Sequence, residues 1–216
     1  MSDPGPPPLD GIVASSGPDG SVRASFRQGV LHGPFQQFRP DGGPAREMHF
    51  VEGKLHGALV DYDTAGRVAS RQHYLAGVLH GPTTLYTEGV IAAEMMHLGG
   101  VLQGPAHSYD SLGRLAATGL YVNGKLHGPT TIFRADGTRT KVMNYAEGKL
   151  HGESIEYFEN GAPRRRALYK EGKLDGATTD YDETGRVTAV THYAEDKKLD
   201  GPGTGKKGWL GRIIGS

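Results

Sequence analysis

The feature that most limits how this chain can fold is a five-residue motif, Gly-x-Leu-His-Gly, that returns at a nearly fixed interval. It reads GVLHG at Gly29–Gly33, GKLHG at Gly53–Gly57, GVLHG at Gly77–Gly81 and GVLQG at Gly100–Gly104. It continues as GKLHG at Gly124–Gly128 and at Gly148–Gly152, and as GKLDG at Gly172–Gly176. The first glycines are 24, 24, 23, 24, 24 and 24 residues apart. A period of this size means one supersecondary unit stacked on copies of itself, so the chain is a repeat protein before it is anything else.

A second turn falls about halfway along each repeat: Pro40-Asp41-Gly42-Gly43, Thr64-Ala65-Gly66, Thr87-Glu88-Gly89, Ser111-Leu112-Gly113, Ala135-Asp136-Gly137, Glu159-Asn160-Gly161 and Glu183-Thr184-Gly185. Glycine after Asp, Asn, Glu or Thr is hairpin-turn chemistry, because glycine takes positive φ without a Cβ penalty. Two turns per repeat leave segments of about six to eight residues, the length of strands and too short for helices. Their content, as in Lys141-Val-Met-Asn-Tyr145, is β-branched and aromatic. Each repeat is therefore expected to be one β-hairpin. The chain should be all-β, an elongated single-layer antiparallel meander of about eight hairpins and on the order of 75 Å long.

Two aromatic columns run through the repeats. Five residues after the second motif glycine stand Phe38, Tyr62, Tyr86, Tyr109, Phe133, Tyr157 and Tyr181. Three residues before the first stand Phe26, Phe50, Tyr74, His97, Tyr121, Tyr145, Tyr169 and Tyr193. Equivalent side chains recur on every second strand, about 9.6 Å apart at ~4.8 Å per strand. The two columns are expected to interleave into one stacked stripe, with the motif leucines closing the turns.

Residues 1–8 are proline-rich, and residues 9–28 read as a degenerate first repeat serving as a polar cap. The array spans residues 9–200, and 201–216 form a Gly/Lys linker with an apolar tail. Lys plus Arg equals Asp plus Glu at 24 each, so no global field draws in nucleic acid or anionic membrane. Hydrophobic residues make up 36% against 34 glycines, which fits tight turns and half-exposed strands rather than a thick core. The absence of cysteine excludes disulfides, thiolate metal sites and thiol nucleophiles. With no signal-peptide pattern and no run of about 18 apolar residues, the expected compartment is the cytoplasm.

Gly-x-Leu-His-Gly, five residues to Tyr or Phe, a glycine turn and a second aromatic before the next Gly-Lys together resemble the variant MORN repeat. The likeness extends over residues 9–200 and is similar in particular to the bacterial YwqK-type antitoxins. The departures are Gln103, Asp175 and Asp200 in place of the motif histidine, and Asp196-Lys197-Lys198 in place of the last Gly-Lys. The resemblance implies a bacterial antitoxin or immunity-like protein, and as alternatives a membrane-associated scaffold or an adaptor that carries a secreted effector.

Catalytic and metal chemistry find little to stand on, and no cofactor is expected. Zinc ligands must approach each other within roughly 4 Å, whereas His32, His56, His80, His127 and His151 should stand about 9.6 Å apart along their column. Each is expected to pack over, or hydrogen-bond within, its own turn. Nothing resembles a nucleophile elbow or a phosphate loop, so no enzyme is expected. The aromatic column Tyr62, Tyr86, Tyr109, Phe133, Tyr157 and Tyr181 is the candidate surface for a protein partner, a toxin or effector. Arg164, Arg165 and Arg166 form the one dense basic spot, and strand alternation sends Arg165 to the face opposite the other two. In the tail, Trp209, Leu210, Ile213 and Ile214 sit among Lys206, Lys207 and Arg212. Three readings stay open for that tail: a cap on the sheet edge, a docking peptide, or a shallow membrane contact.

Overall fold

The computed structural model describes residues 10–199. Every regular element among them is a strand, and the chain divides between Lys125 and Leu126 into two compact units. The first unit holds β1 (Gly11–Gly17), β2 (Gly20–Arg27), β3 (Val30–Phe38), β4 (Pro44–Val51), β5 (Lys54–Leu55) and β6 (Gly57–Tyr62). It continues with β7 (Val68–Leu75), β8 (Val78–Thr87), β9 (Val90–Leu98), β10 (Val101–Tyr109) and β11 (Leu115–Val122). The short β12 (Lys125–Leu126) carries the division itself. The second unit holds β13 (Gly128–Phe133), β14 (Arg139–Ala146), β15 (Lys149–Tyr157), β16 (Pro163–Lys170), β17 (Lys173–Tyr181), β18 (Val187–Ala194) and β19 (Lys197–Lys198). Within each unit the strands pair antiparallel in chain order, β4 pairing with both β5 and β6. The fold is thus the antiparallel meander of hairpin repeats that the periodicity predicts.

The two turns of each repeat differ in kind. At the motif, two residues with positive φ join the strands, as in Glu52 (φ 50) and Gly53 (φ 75), or Glu171 (φ 50) and Gly172 (φ 92). This is a type I′ turn, whose twist matches the flanking strands. The glutamates sit there at a cost of about 1–2 kcal/mol, because a Cβ crowds the following carbonyl. At mid-repeat a three-residue loop closes on a glycine bulge: Asp63 N–H donates to the Arg67 carbonyl at 2.8 Å and Gly66 N–H to the Asp63 carbonyl at 3.0 Å. The Asp63 carboxylate accepts from the N–H groups of Ala65 and Arg67, both at 2.9 Å. Asp182 does the same for Thr184 and Arg186. Among the full repeats one hairpin departs: Glu88 (φ 54) and Gly89 (φ 85) make a two-residue type I′ turn between Thr87 and Val90. One loop residue fewer is why the repeat from Gly77 to Gly100 has 23 residues rather than 24.

Register assigns the side chains to two faces. Tyr74 pairs with Leu79 and Tyr145 with Leu150, and the Phe35 and Phe50 rings meet edge-on at 5.8 Å. The motif leucines, the aromatics three residues before the motif and the residues two after it therefore share one face, the leucine face. The opposite face carries Pro34, Pro82 and Pro105 in the first unit and Pro129 in the second, and is called the proline face. Tyr109 belongs to it, because its hydroxyl donates to Glu94 at 2.6 Å and Glu94 alternates with Met95, which pairs with Ala106 of the leucine face. The two aromatic columns consequently lie on opposite faces, and the expected single stripe does not form. Phe38 stands seven residues from Leu31, an odd number, and alternation along a strand sends odd separations to opposite sides.

The buried residues are small and central. Ala24, Leu59, Ser70, Thr83, Ser154, Ala167 and Thr178 lie on the leucine face and Val60 on the proline face. No large side chain is fully buried among the described residues. Longer side chains in the flanking rows close over these small ones, so a chain this poor in hydrophobic residues still acquires an interior. His97 takes an aromatic's place on this face, 3.1 Å from the Thr83 hydroxyl through Nδ1, and burial lowers its pKa.

Candidate functional site

Two of the motif histidines, His32 and His80, hydrogen-bond beyond their own turns. His32 Nδ1 accepts from the N–H of Glu52 at 3.4 Å, and His80 Nδ1 from that of Gly99 at 3.4 Å. In both cases the donor is the first residue of the next repeat's type I′ turn. Gln103 replaces histidine and makes the same bond to Asn123 N–H at 2.8 Å, while Asp10 serves Gln28 at 2.7 Å. Beside this bond a second one runs from each turn glycine to the preceding motif leucine, as in Gly53 N–H to the Leu31 carbonyl and Gly172 N–H to the Leu150 carbonyl. A net 0.5–1.5 kcal/mol for each such bond, roughly, offsets the strain of the glutamates at positive φ. Asp10 in this role supports reading the first hairpin as a degenerate repeat. At the other end, Tyr193 pairs with Lys198 as Tyr169 pairs with Leu174. Leu199 N–H donates to the His192 carbonyl as His56 N–H does to His49. Leu199 therefore takes the motif histidine's place, one position from where the spelling Leu-Asp-Gly assigns it.

The leucine face holds most of the small buried residues, and exposed apolar side chains concentrate on the proline face of the first unit. Among the large apolar side chains exposed on it are Leu75, Val78, Met96, Leu98, Val101 and Leu120, from 39% for Leu120 to 57% for Leu98. Register makes them contiguous. Leu75 pairs with Val78, Leu98 with Val101, Pro82 with Met96, and Pro105 with Leu120. A patch of this kind on a polar protein is a candidate interaction surface. Sequence reading missed it, although the signal was present: the variable motif position is valine at 30, 78 and 101 and lysine elsewhere.

The predicted aromatic column borders this patch. Tyr62, Tyr86 and Tyr109 are half-buried on the proline face of the first unit. The hydrogen bond to the Glu94 carboxylate, with burial second, raises the pKa of Tyr109. Burial, followed by the hydrogen bond to Glu47, raises that of Tyr62. Both phenols thus stay protonated and bound to acids. In the second unit Phe133, Tyr157 and Tyr181 are also half-buried, and the Arg139 guanidinium lies 5.1 Å from the centroid of the Tyr157 ring.

The arginine run divides as alternation requires. Arg165 lies on the leucine face, bound to Asp180 at 2.6 Å, and that bond raises its pKa. Arg166 on the proline face meets Glu153 at 3.1 Å. Arg164 borders an open cavity of about 540 Å³ together with Arg134, Tyr157, Asn160 and Glu183. The basic spot is therefore neutralised at two of its three members. No group of three His, Asp or Glu side chains comes together with metal-ligating geometry among the described residues. Trp209, Leu210, Ile213 and Ile214 lie outside the described residues.

Residues 150–171 match the family described as "MORN repeat variant". The matched stretch runs from the motif leucine Leu150 to Glu171 of the next type I′ turn, one complete hairpin, so the chain carries a MORN-type repeat. Among curated proteins none matches. A solved structure of the Tc holotoxin pore of Photorhabdus luminescens aligns with 83% of this chain at 11% identity and a TM-score of 0.20. The chain spans 15% of that much longer one, and so loose a likeness bears on neither fold nor role.

Proposed function

We propose that this protein is a non-enzymatic protein-binding module, an antitoxin or immunity-like protein of the bacterial cytoplasm that occludes a toxin or effector. The observation that carries the reading is the contiguous apolar patch on the proline face, Leu75 to Leu120, bordered by the tyrosine column. Such a patch with aromatic residues at its border has the make-up of a binding interface: an apolar centre, amphipathic aromatics and a polar rim. The MORN-type repeat supports a binding module, because stacked repeats present a broad surface rather than a deep cleft.

The test is affinity capture from the source cell with the wild type and with Val78→Lys/Val101→Lys. Lysine occupies the same motif position at 54, 149 and 173, so the variant is expected to keep its stability within about 0.5 kcal/mol. The wild type should retain one partner stoichiometrically and the variant should lose it. Equal recovery by both proteins, or no partner for the wild type, would sink the proposal.

A further inference from the structure

β18 is built as an interior strand but placed at an edge. On one side it pairs with β17 from Val187 to Tyr193. On the other it meets only β19, at Tyr193 with Lys198 and Ala194 with Lys197. Among the described residues the stretch Val187–Thr191 therefore has no neighbour on that side, whereas the corresponding Arg165–Ala167 of β16 pairs with Thr178–Asp180. Exposed edges are normally guarded by a charge, a proline or a bulge. Val187-Thr188-Ala189-Val190-Thr191 has no charge and no proline, and its one irregularity, the extra residue between Val187 and Ala189, recurs at the same place in the interior strand β16 and so is no edge device. Val187 and Val190 stand 57% and 51% exposed. Valines at the same repeat positions, Val68 and Val142, are half-covered. β1 carries one exposed apolar residue, Ile12 at 70%, and then ends in Ala14-Ser15-Ser16-Gly17, small and polar residues that suit an open edge.

Leu168, also exposed, extends this apolar strip on the proline face, separated from β18 by Ala177 and Thr179 of β17. Lengths and charges point to what covers it. Leu199 N–H donates to the His192 carbonyl at 2.8 Å, so the chain leaves β19 beside the start of the bare stretch and runs toward Val187. The five steps from His192 to Val187 cover about 17 Å, and the nine residues 200–208 can span up to about 30 Å. Trp209 can therefore reach any point along β18. The tail supplies Trp209, Leu210, Ile213 and Ile214 for the apolar strip, and Lys206, Lys207 and Arg212 to face the exposed Glu183 and its neighbour Asp182 at the far end of the strand.

We propose that residues 200–216 fold back in cis and close the open edge of β18, with the tail's apolar side chains over Val187, Val190 and Leu168. The tail then shields the strand from pairing with other chains and leaves the apolar patch of the first unit as the free surface.

Trp209 is the only tryptophan, so its fluorescence reports on the tail alone in the full-length protein. Its emission should be blue-shifted and protected from acrylamide relative to a peptide of residues 200–216, with the same protection at every protein concentration. Val187→Asp/Val190→Asp should return it to the peptide's values, whereas Ile12→Asp on β1 should leave it unchanged. A tryptophan quenched as freely as in the peptide overturns the proposal. So does protection that grows with concentration, which would mean that a second copy covers the strand. Should the aspartate variant fail to fold, Val190→Cys/Ile213→Cys in this cysteine-free chain decides the matter. An intramolecular disulfide supports closure in cis; crosslinked dimers or no bond overturn it.

Discussion

The type I′ edge is built alike in the two units and surfaced differently. In the first, Gly100 N–H donates to the Leu79 carbonyl at 2.8 Å; in the second, Gly172 N–H donates to Leu150 at 2.7 Å. Around these matching bonds the first unit places Lys54 but also Val30, Leu75, Val78, Leu98 and Val101, all exposed, and the second places Lys149, Lys170, Lys173 and Lys197. Glycines and leucines therefore fix the backbone lattice, while the second motif position is left to set the surface. In a repeat protein each unit needs only its neighbours for stability, so one stretch of the array can turn apolar and serve recognition while another stays solvated.

The sharpest way to break this comparison is to attack the lattice in each unit separately. Gly81 has φ +110, and a Cβ there would lie 3.2 Å from that of His73. Gly176 has φ +120, with Leu168 Cδ1 at 3.0 Å and Cβ at 3.2 Å. Gly81→Ala and Gly176→Ala should each cost about 1–3 kcal/mol from the backbone conformation alone. Hydrogen exchange during urea titration should place the loss in the altered unit. If one substitution is silent, the two units do not depend on the same lattice.

A smaller effect tests the side-chain half of the edge. His80→Ala removes the acceptor for Gly99 N–H and should cost about 0.5–1.5 kcal/mol. His80→Gln should restore most of it, since Gln103 already holds the equivalent turn at 2.8 Å. Equal losses in the two variants would assign the histidine to packing instead.

The mildest effect is acid sensitivity at mid-repeat. The backbone N–H of Arg67 and of Arg114 most strongly lowers the pKa of Asp63 and Asp110, and the Thr184 hydroxyl, followed by the Arg186 N–H, lowers that of Asp182. A carboxylate depressed in the folded state contributes stability above its unfolded value, here 3.8, and that contribution disappears as pH falls through the folded value. Asp110→Asn and Asp182→Asn should therefore flatten the stability profile below about pH 4 while changing little at neutrality. An unaltered acid limb would show that these turns do not govern it.

Much of this molecule was legible in advance because its signals are local. The turn glycines, the strand length between them and the division of Arg164, Arg165 and Arg166 follow from backbone sterics and alternation within a few residues. Alternation also contains the answer to the aromatic columns, since Leu31 and Phe38 differ by an odd number, whereas equal spacing along the array is the same for one face or two. The histidines were harder. Their acceptor atoms serve a turn about 20 residues onward, and nothing near His32 or His80 in the chain identifies that donor.

By itself, then, the sequence determined the repeat, the hairpins and the places where glycine is required, because positive φ and two-residue turns are decided by the few atoms around each bond. The tertiary structure alone decided that small residues such as Ala24, Ser154 and Thr178 are the interior, that Gln103 can stand in for histidine, and that Leu75 to Leu120 form one open patch. Burial and exposure depend on which strands lie alongside and on whether anything lies above, and those neighbours are one repeat or more away along the chain.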